Sequence, residues 1–122
     1  MAQSETFPRS LGPWHFSANG VAGQLTLTDD GSGKLSGSID GNQPVIGFWD
    51  ANAQKVTFLR ITNPTTDPFS AQVYTGYLSS HIQPPDVIVY TLVGSYQAFS
   101  GSDVTAQRNV FGWSASMSRP VV

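Results

Sequence analysis

The chain has no cysteine among its 122 residues, which excludes disulfides, thiolate metal sites and cysteine nucleophiles together. Charge is also scarce, at 11% of residues against about 25% in an average protein. The six Lys and Arg residues are scattered and form no basic patch, so no nucleic acid is expected as a partner. No apolar run approaches the roughly 20 residues of a membrane-spanning helix, so no membrane is expected either.

The length fits one domain, with residues 1–10 as a flexible tail and residues 11–122 as the folded unit. The segment from Met1 to Thr6 has no apolar core, so no signal peptide is visible and we expect a cytoplasmic protein. A secreted protein is the alternative if a leader has been removed. The net charge of -2 is small enough to permit self-association, so we expect a homo-oligomer.

All seven aspartates lie in clusters of turn-forming residues, and the segments between them resemble strands. Asp and Asn bond their own backbone and tolerate left-handed geometry, so they mark chain reversals. Alternation of apolar and polar residues between the reversals predicts strands over 13–19, 24–28, 34–39, 44–49, 55–62, 71–80, 87–99 and 110–119. Residues 63–68 are predicted as a loop, because two prolines remove backbone donors, and residues 102–109 are predicted as a short helix.

Eight antiparallel strands joined mostly by short hairpins predict an all-β, up-and-down β-barrel, which leaves no exposed edge. Glycines inside most of the predicted strands support this architecture, because a small barrel needs tight bends to close. A Greek-key sandwich is the structural alternative. It requires long crossovers, for which only the connections at 63–70 and 80–87 are candidates.

The order of several short motifs resembles that of a known family. Gly12-Pro13-Trp14 opens the first predicted strand and Arg119 closes the last, as in the calycin barrels (lipocalins, fatty-acid-binding proteins and avidins). The chain is most similar to the avidins, through Leu35-Ser36-Gly37-Ser38-Ile39, Gly47-Phe48-Trp49-Asp50, Tyr74-Thr75-Gly76-Tyr77 and Val110-Phe111-Gly112-Trp113. The resemblance implies an eight-stranded barrel in which Arg119 stacks on Trp14, a contact worth about 0.5–2 kcal/mol.

Nearly every position at which avidins hold biotin is changed in this chain. A tyrosine is replaced by Ile39, an asparagine by Phe16, an aspartate by Ser114, and tryptophans by Arg60, by Tyr74 and by Thr91 or Leu92. The resemblance therefore implies the fold and argues against biotin as the ligand.

Arg60 is the residue for which the sequence supports the most specific functional hypothesis. The fifth predicted strand can be read with Val56, Phe58 and Arg60 inward, or with Thr57, Leu59 and Ile61 inward. An inward Arg60 is a buried charge for which no strand offers a carboxylate, so it would favour an anionic ligand. An outward Arg60 beside Thr62 needs no function. Because both faces of this strand are partly apolar, one face is a candidate for cover by a neighbouring subunit.

The other candidate ligand-binding residues are polar groups and rings expected along the barrel interior. They are Ser38, Gln72, Tyr74 and Ser114, predicted to share the inner face, and the aromatic Phe16, Trp49 and Phe58. Tyrosine and amide groups orient ligands in apolar cavities, although the same side chains also satisfy backbone groups or face water. Trp49 is a candidate rim residue for stacking, or a core residue. No metal is predicted, because the two histidines have no acidic neighbours at ligand spacing, and no cofactor is expected.

These observations favour a non-enzymatic barrel that binds a small, largely apolar molecule with an anionic end. The alternatives are an interaction or assembly module whose barrel is filled by its own side chains, and a small isomerase or cyclase. Whether the chain is an enzyme stays open, although the absence of a phosphate loop, a nucleophile elbow and paired strand carboxylates disfavours hydrolysis.

Overall fold

A computed structural model describes residues 7–8, 13–63, 67–99 and 109–120. Every regular element in these ranges is a β-strand. The strands are β1 (Trp14–Ala18), β2 (Val21–Asp29), β3 (Lys34–Ile39), β4 (Gln43–Asp50), β5 (Lys55–Asn63), β6 (Asp67–Gln83), β7 (Val87–Phe99) and β8 (Asn109–Pro120). They pair in chain order as one closed antiparallel barrel, which confirms the predicted architecture and excludes the sandwich.

The barrel closes through β1, whose residues pair with β2 on one side and β8 on the other. Phe16 lies opposite Gly23 in β2 and opposite Ala115 in β8. The first strand thus meets the last, and the sheet closes on itself.

The predicted reversals form as turn chemistry requires. Asn19 and Gly20 have φ of 50° and 81°, and Asp40 and Gly41 have φ of 54° and 76°. Two consecutive residues with positive φ match the twist of a tight hairpin, which is why Asn-Gly and Asp-Gly are favoured there. In the turn between β2 and β3, Oδ1 of Asp29 accepts a hydrogen bond from the backbone nitrogen of Gly31 at 2.9 Å.

The prediction that residues 63–68 form a loop was wrong at Asn63, which ends β5, and at Asp67 and Pro68, which belong to β6, while residues 64–66 lie outside the described residues. The structure begins β6 at Asp67, which pairs with Asn63 beyond an irregularity in the register. Proline is tolerated at the start of a strand and at bulges, where no ladder donor is lost. Residues 102–108 of the predicted helix lie outside the described residues, and the prediction was wrong at its last residue, Asn109, which begins β8.

Aromatic side chains close the end of the barrel that carries the β4–β5 and β6–β7 turns. Phe7 stacks on Trp14 with ring centroids 5.8 Å apart and meets Trp49 edge-on at 5.4 Å. All three side chains are buried, although Phe7 falls in the predicted tail. The guanidinium of Arg119 lies 5.3 Å from the Tyr90 ring centroid and donates to its hydroxyl at 3.0 Å. Among the described contacts the ring partner of Trp14 is thus Phe7.

Gly76 makes room for the Trp113 indole inside the barrel. Gly76 in β6 pairs with Gly94 in β7, and Gly94 in turn pairs with Trp113 in β8. A Cβ atom added at Gly76 would lie 2.6 Å from Cζ2 of Trp113. The indole lies close to the backbone and donates from Nε1 to the carbonyl oxygen of Thr75 at 3.0 Å. The packing of Trp113 therefore requires a residue without a side chain at position 76.

We expect Gly76→Ala to lower the free energy of unfolding by about 1–3 kcal/mol, because the added methyl overpacks the core against the indole. The matched control is Gly112→Ala, since a Cβ at Gly112 meets no atom within 4 Å. The control should stay within about 0.5 kcal/mol of the wild type. Urea unfolding followed by tryptophan fluorescence measures both, and equal effects would show that Trp113 does not need the glycine.

Candidate functional site

Arg60 points into the barrel at the end opposite Phe7, which we call the mouth. In β5, Val56 and Phe58 are buried, and Arg60 follows them on the same face. Arg60 lies opposite the buried Val45 in β4 and opposite Gln72 in β6. Of the two registers open to the sequence, the structure has the one in which Arg60 faces inward.

Neutral side chains hold the guanidinium of Arg60, which is half-buried. Its Nε donates to Oε1 of Gln43 at 2.6 Å, and its Nη1 donates to the Tyr74 hydroxyl at 2.9 Å and to Oε1 of Gln72 at 3.2 Å. The Tyr74 hydroxyl donates to the same Gln72 oxygen at 2.6 Å. Within the described part of the chain, no carboxylate bonds to Arg60.

Gln43 is a member of this network that sequence reasoning missed. It lies one residue before the predicted fourth strand, whereas the structure begins β4 there. Its Nε2 donates to the carbonyl oxygen of Thr62 at 3.0 Å, which fixes the amide and directs its oxygen to Arg60. The sequence did contain a signal for an inward Gln43, because Gln43 continues the inward alternation of Val45, Gly47 and Trp49.

A cavity of about 220 Å³ lies at the mouth. Its walls are formed by Phe16, Ala18, Asn19, Val21, Ala22, Gly23, Ile39, Asp40, Arg60, Gln72 and Tyr96. Phe16, Ile39 and Tyr96 are its larger apolar members, and Arg60 is its cationic member. Asp40 brings one carboxylate to the rim, where Oδ1 accepts from the backbone nitrogen of Gln24 at 2.9 Å.

Stacked aromatic rings fill the centre of the barrel below this mouth. Tyr74 lies between Phe58 and Tyr96, with ring centroids 4.7 Å and 4.5 Å away and interplanar angles of 9° and 17°. Trp113 lies nearly perpendicular to Phe58 and Tyr74, with ring centroids 5.4 Å and 5.5 Å away and interplanar angles of 78° and 84°. All four side chains are buried. The rings therefore limit how deeply a ligand can enter from the mouth.

The predicted site residues lie in three places: at the mouth, at the opposite end of the barrel, and on its outer face. Phe16, Phe58, Arg60, Gln72 and Tyr74 come together at or just below the mouth. Trp49 is buried at the opposite end, so it does not share this site.

The prediction that Ser38 and Ser114 face inward was wrong. Ser38 pairs with the exposed Thr26 and is followed by the inward Ile39, which places it on the outer face. Ser114 is exposed between the buried Trp113 and Ala115. A one-residue displacement in a predicted register reverses the face of every side chain, which accounts for the error at Ser114.

Burial raises the pKa of Tyr74, while its hydrogen bond to Arg60 and the charge of Arg60 act in the opposite direction. The raised pKa keeps the phenol protonated at neutral pH. Its hydroxyl can therefore donate to Gln72 and accept from Arg60 at once. The phenol thus joins the polar mouth to the aromatic core.

Comparison with known proteins finds no family model and no curated protein that matches the chain. In the described ranges, no three acidic or histidine side chains come together as a metal site. Those ranges also contain no helix long and apolar enough to cross a membrane.

We expect the stabilising effect of the Tyr74 hydroxyl to decline in alkaline solution. Because the folded-state pKa lies above the ordinary value of 10.0, the contribution is complete below pH 10 and is lost as the pH rises through the folded-state pKa. At neutral pH, Tyr74→Phe should lower the free energy of unfolding by about 0.5–1.5 kcal/mol. The difference in the free energy of unfolding between the wild type and Tyr74→Phe should then become smaller above about pH 10.

Urea unfolding at a series of pH values measures this difference in the free energy of unfolding. Tyr77→Phe, which removes an exposed hydroxyl from the outer face of the same strand, controls for general effects of losing a tyrosine. A gap between wild type and Tyr74→Phe that widens in alkali would contradict the assignment of a buried, protonated phenol.

Proposed function

We propose that this protein is a non-enzymatic β-barrel that binds a small carboxylate-bearing molecule at its mouth, with Arg60 holding the carboxylate. The observation that supports this most is the inward, half-buried guanidinium whose described partners are all neutral. A partly buried charge loses hydration, and an opposite charge compensates for that loss best. A bound carboxylate would provide it.

The way in which Arg60 is held leaves part of its guanidinium available. Its hydrogen bonds to described residues use Nε and Nη1, which leaves the two N–H groups of Nη2 for an acceptor. Gln43 and Gln72 hold the plane of the group from two sides. An arginine whose plane is fixed suits a planar carboxylate better than a flexible ammonium does.

The volume of the cavity restricts the ligand to a small molecule. Its volume of 220 Å³ is below the roughly 300–1,000 Å³ of sites for drug-sized ligands. Phe16, Ile39 and Tyr96 provide apolar wall. Asp40 at the rim disfavours a second negative charge near the entrance. A monocarboxylate with a short apolar or aromatic body fits these limits.

The second candidate is a barrel without a ligand, acting as an interaction or assembly module. The filled centre, with Phe58, Tyr74, Tyr96 and Trp113 all buried, favours it specifically. It offers no anion to Arg60, whose partners among the described residues are all neutral, which is why we place it second. The resemblance to the avidins agrees with a mouth-located ligand site and stays a prediction.

We expect calorimetry to detect binding of benzoate or butyrate by the wild type, and weaker binding of the neutral isosteres benzamide and butyramide. Arg60→Gln should lower benzoate affinity by roughly 10-fold or more, because a charge-assisted hydrogen bond contributes about 1.5–3 kcal/mol. Arg119→Gln removes a half-buried arginine at the other end and should leave benzoate affinity unchanged.

Two outcomes would contradict the proposal. One is equal affinity for benzoate and benzamide in the wild type, which would show that the carboxylate is not recognised. The other is equal benzoate affinity in the wild type and a folded Arg60→Gln variant. If no carboxylate of this size binds the wild type at all, the module without a ligand becomes the better description.

A further inference from the structure

The cavity at the mouth is bordered by a carboxylate as well as by the guanidinium of Arg60. Asp40 and Arg60 both contribute to its wall. The described partners of Arg60 are neutral, and the carboxylate of Asp40 bonds the backbone nitrogen of Gln24, so the two charges do not pair with each other. A cavity bordered by two separate, opposite charges suits a ligand that carries both complementary charges.

A glycine beneath the Asp40 carboxylate gives it its place on the inner wall. Gly23 lies opposite the buried Phe16 and two residues before the buried Leu25, so a side chain at position 23 would point into the barrel. A Cβ atom added there would lie 3.0 Å from Oδ1 and 3.3 Å from Oδ2 of Asp40. The carboxylate therefore occupies inner-wall space that a side chain at position 23 would fill.

The hairpin between β3 and β4 holds Asp40 in this position. Its φ of 54° lies in the left-handed region, and its backbone nitrogen donates to the carbonyl oxygen of Gln24 at 2.8 Å. Its Oδ1 accepts from the backbone nitrogen of the same residue at 2.9 Å. Within the described residues this is the one hydrogen bond of the carboxylate, so Oδ2 is available to a cation. The side chain is exposed, so solvent weakens such a contact.

The Phe16 ring borders both charges. The guanidinium carbon of Arg60 lies 6.0 Å from the centroid of this ring. Phe16 also pairs with Gly23, against which the carboxylate of Asp40 lies. Tyr96 adds a second ring to the wall of the cavity. Aromatic rings attract a cation and also pack against a short hydrocarbon chain. A few methylene groups between a carboxylate and an ammonium therefore suit this part of the wall.

We propose that the ligand of the mouth is a small zwitterion, whose carboxylate binds Arg60 and whose ammonium binds Asp40. This ligand class rests on the proposed carboxylate site and adds the group at the other end of the molecule. A plain carboxylate brings a negative charge into a cavity that already has one at its rim, whereas an ammonium in the same molecule offsets that repulsion. An amine without a carboxylate meets the like charge of Arg60. The two charges together therefore favour a molecule with both groups.

Calorimetry at low ionic strength tests the zwitterion with three compounds that share a four-carbon chain: 4-aminobutyrate, butyrate and butylamine. The wild type should bind 4-aminobutyrate roughly two- to fivefold more tightly than butyrate, a modest factor because Asp40 is exposed and exposed ion pairs are weak. Butylamine should bind more weakly than either. Added salt should reduce the preference for 4-aminobutyrate over butyrate, because it screens the exposed pair.

Asp40→Asn removes the charge while keeping the shape of the side chain, and asparagine tolerates the same positive φ. The preference for 4-aminobutyrate over butyrate should disappear in this variant. Asp50→Asn is the matched control. The carboxylate of Asp50 is also exposed and also bonds the backbone, through the nitrogen of Asn52 at 3.1 Å, but it lies at the other end of the barrel. This control should keep the preference of the wild type.

The zwitterion would be overturned by equal affinity of the wild type for 4-aminobutyrate and butyrate, or by butylamine binding as tightly as 4-aminobutyrate. A preference that persists in a folded Asp40→Asn, or that is lost equally in Asp50→Asn, would also overturn it. Circular dichroism verifies folding. The carboxylate site is tested separately, because butyrate should bind the wild type more tightly than Arg60→Gln whether or not an ammonium adds affinity. If the wild type binds neither compound, both proposals fail.

Discussion

The position of Tyr74 between two other rings is the constraint on which the rest of this barrel depends. Its ring lies in the stack with Phe58 and Tyr96, and its hydroxyl bonds both Arg60 and Gln72. The same side chain thus fills the core and supplies a polar group to the mouth. A phenylalanine there would fill the same space but leave Arg60 with fewer acceptors. Because the stack occupies the centre, the space for a ligand lies above it.

Much of this fold follows from local chemistry that is legible in the sequence. Asn19-Gly20 and Asp40-Gly41 favour tight hairpins wherever they occur between strands, and each strand between such turns pairs with its neighbour. Closure follows because sequential hairpins with a consistent twist return the last strand to the first. The start of β6 was missed, since the register irregularity beside Asn63 depends on strand pairing that no local signal encodes.

The site was less predictable than the fold, because it depends on which face each residue takes. Val56 and Phe58 on one side of β5 and Leu59 and Ile61 on the other are equally apolar, so alternation does not decide where Arg60 points. The structure decides through the partner strands, in which Val45 is buried opposite Arg60. Ser114 shows the same limit, because the space that Gly76 of β6 leaves for the Trp113 indole cannot be inferred from the sequence of β8.

The apolar residues on both faces of β5 also bear on the solubility of the protein. A strand in a barrel needs only its inner face to be apolar, and β2 follows that rule, with Leu25 and Leu27 buried and polar residues outside. A strand apolar on both faces departs from it at a cost in solubility, unless the outer face is covered. Arg60 and Leu59 thus lie on opposite sides of one strand. Arg60 is on the inner side at the mouth, and Leu59 is on the outer side, opposite Ile46 and Val73 in the neighbouring strands.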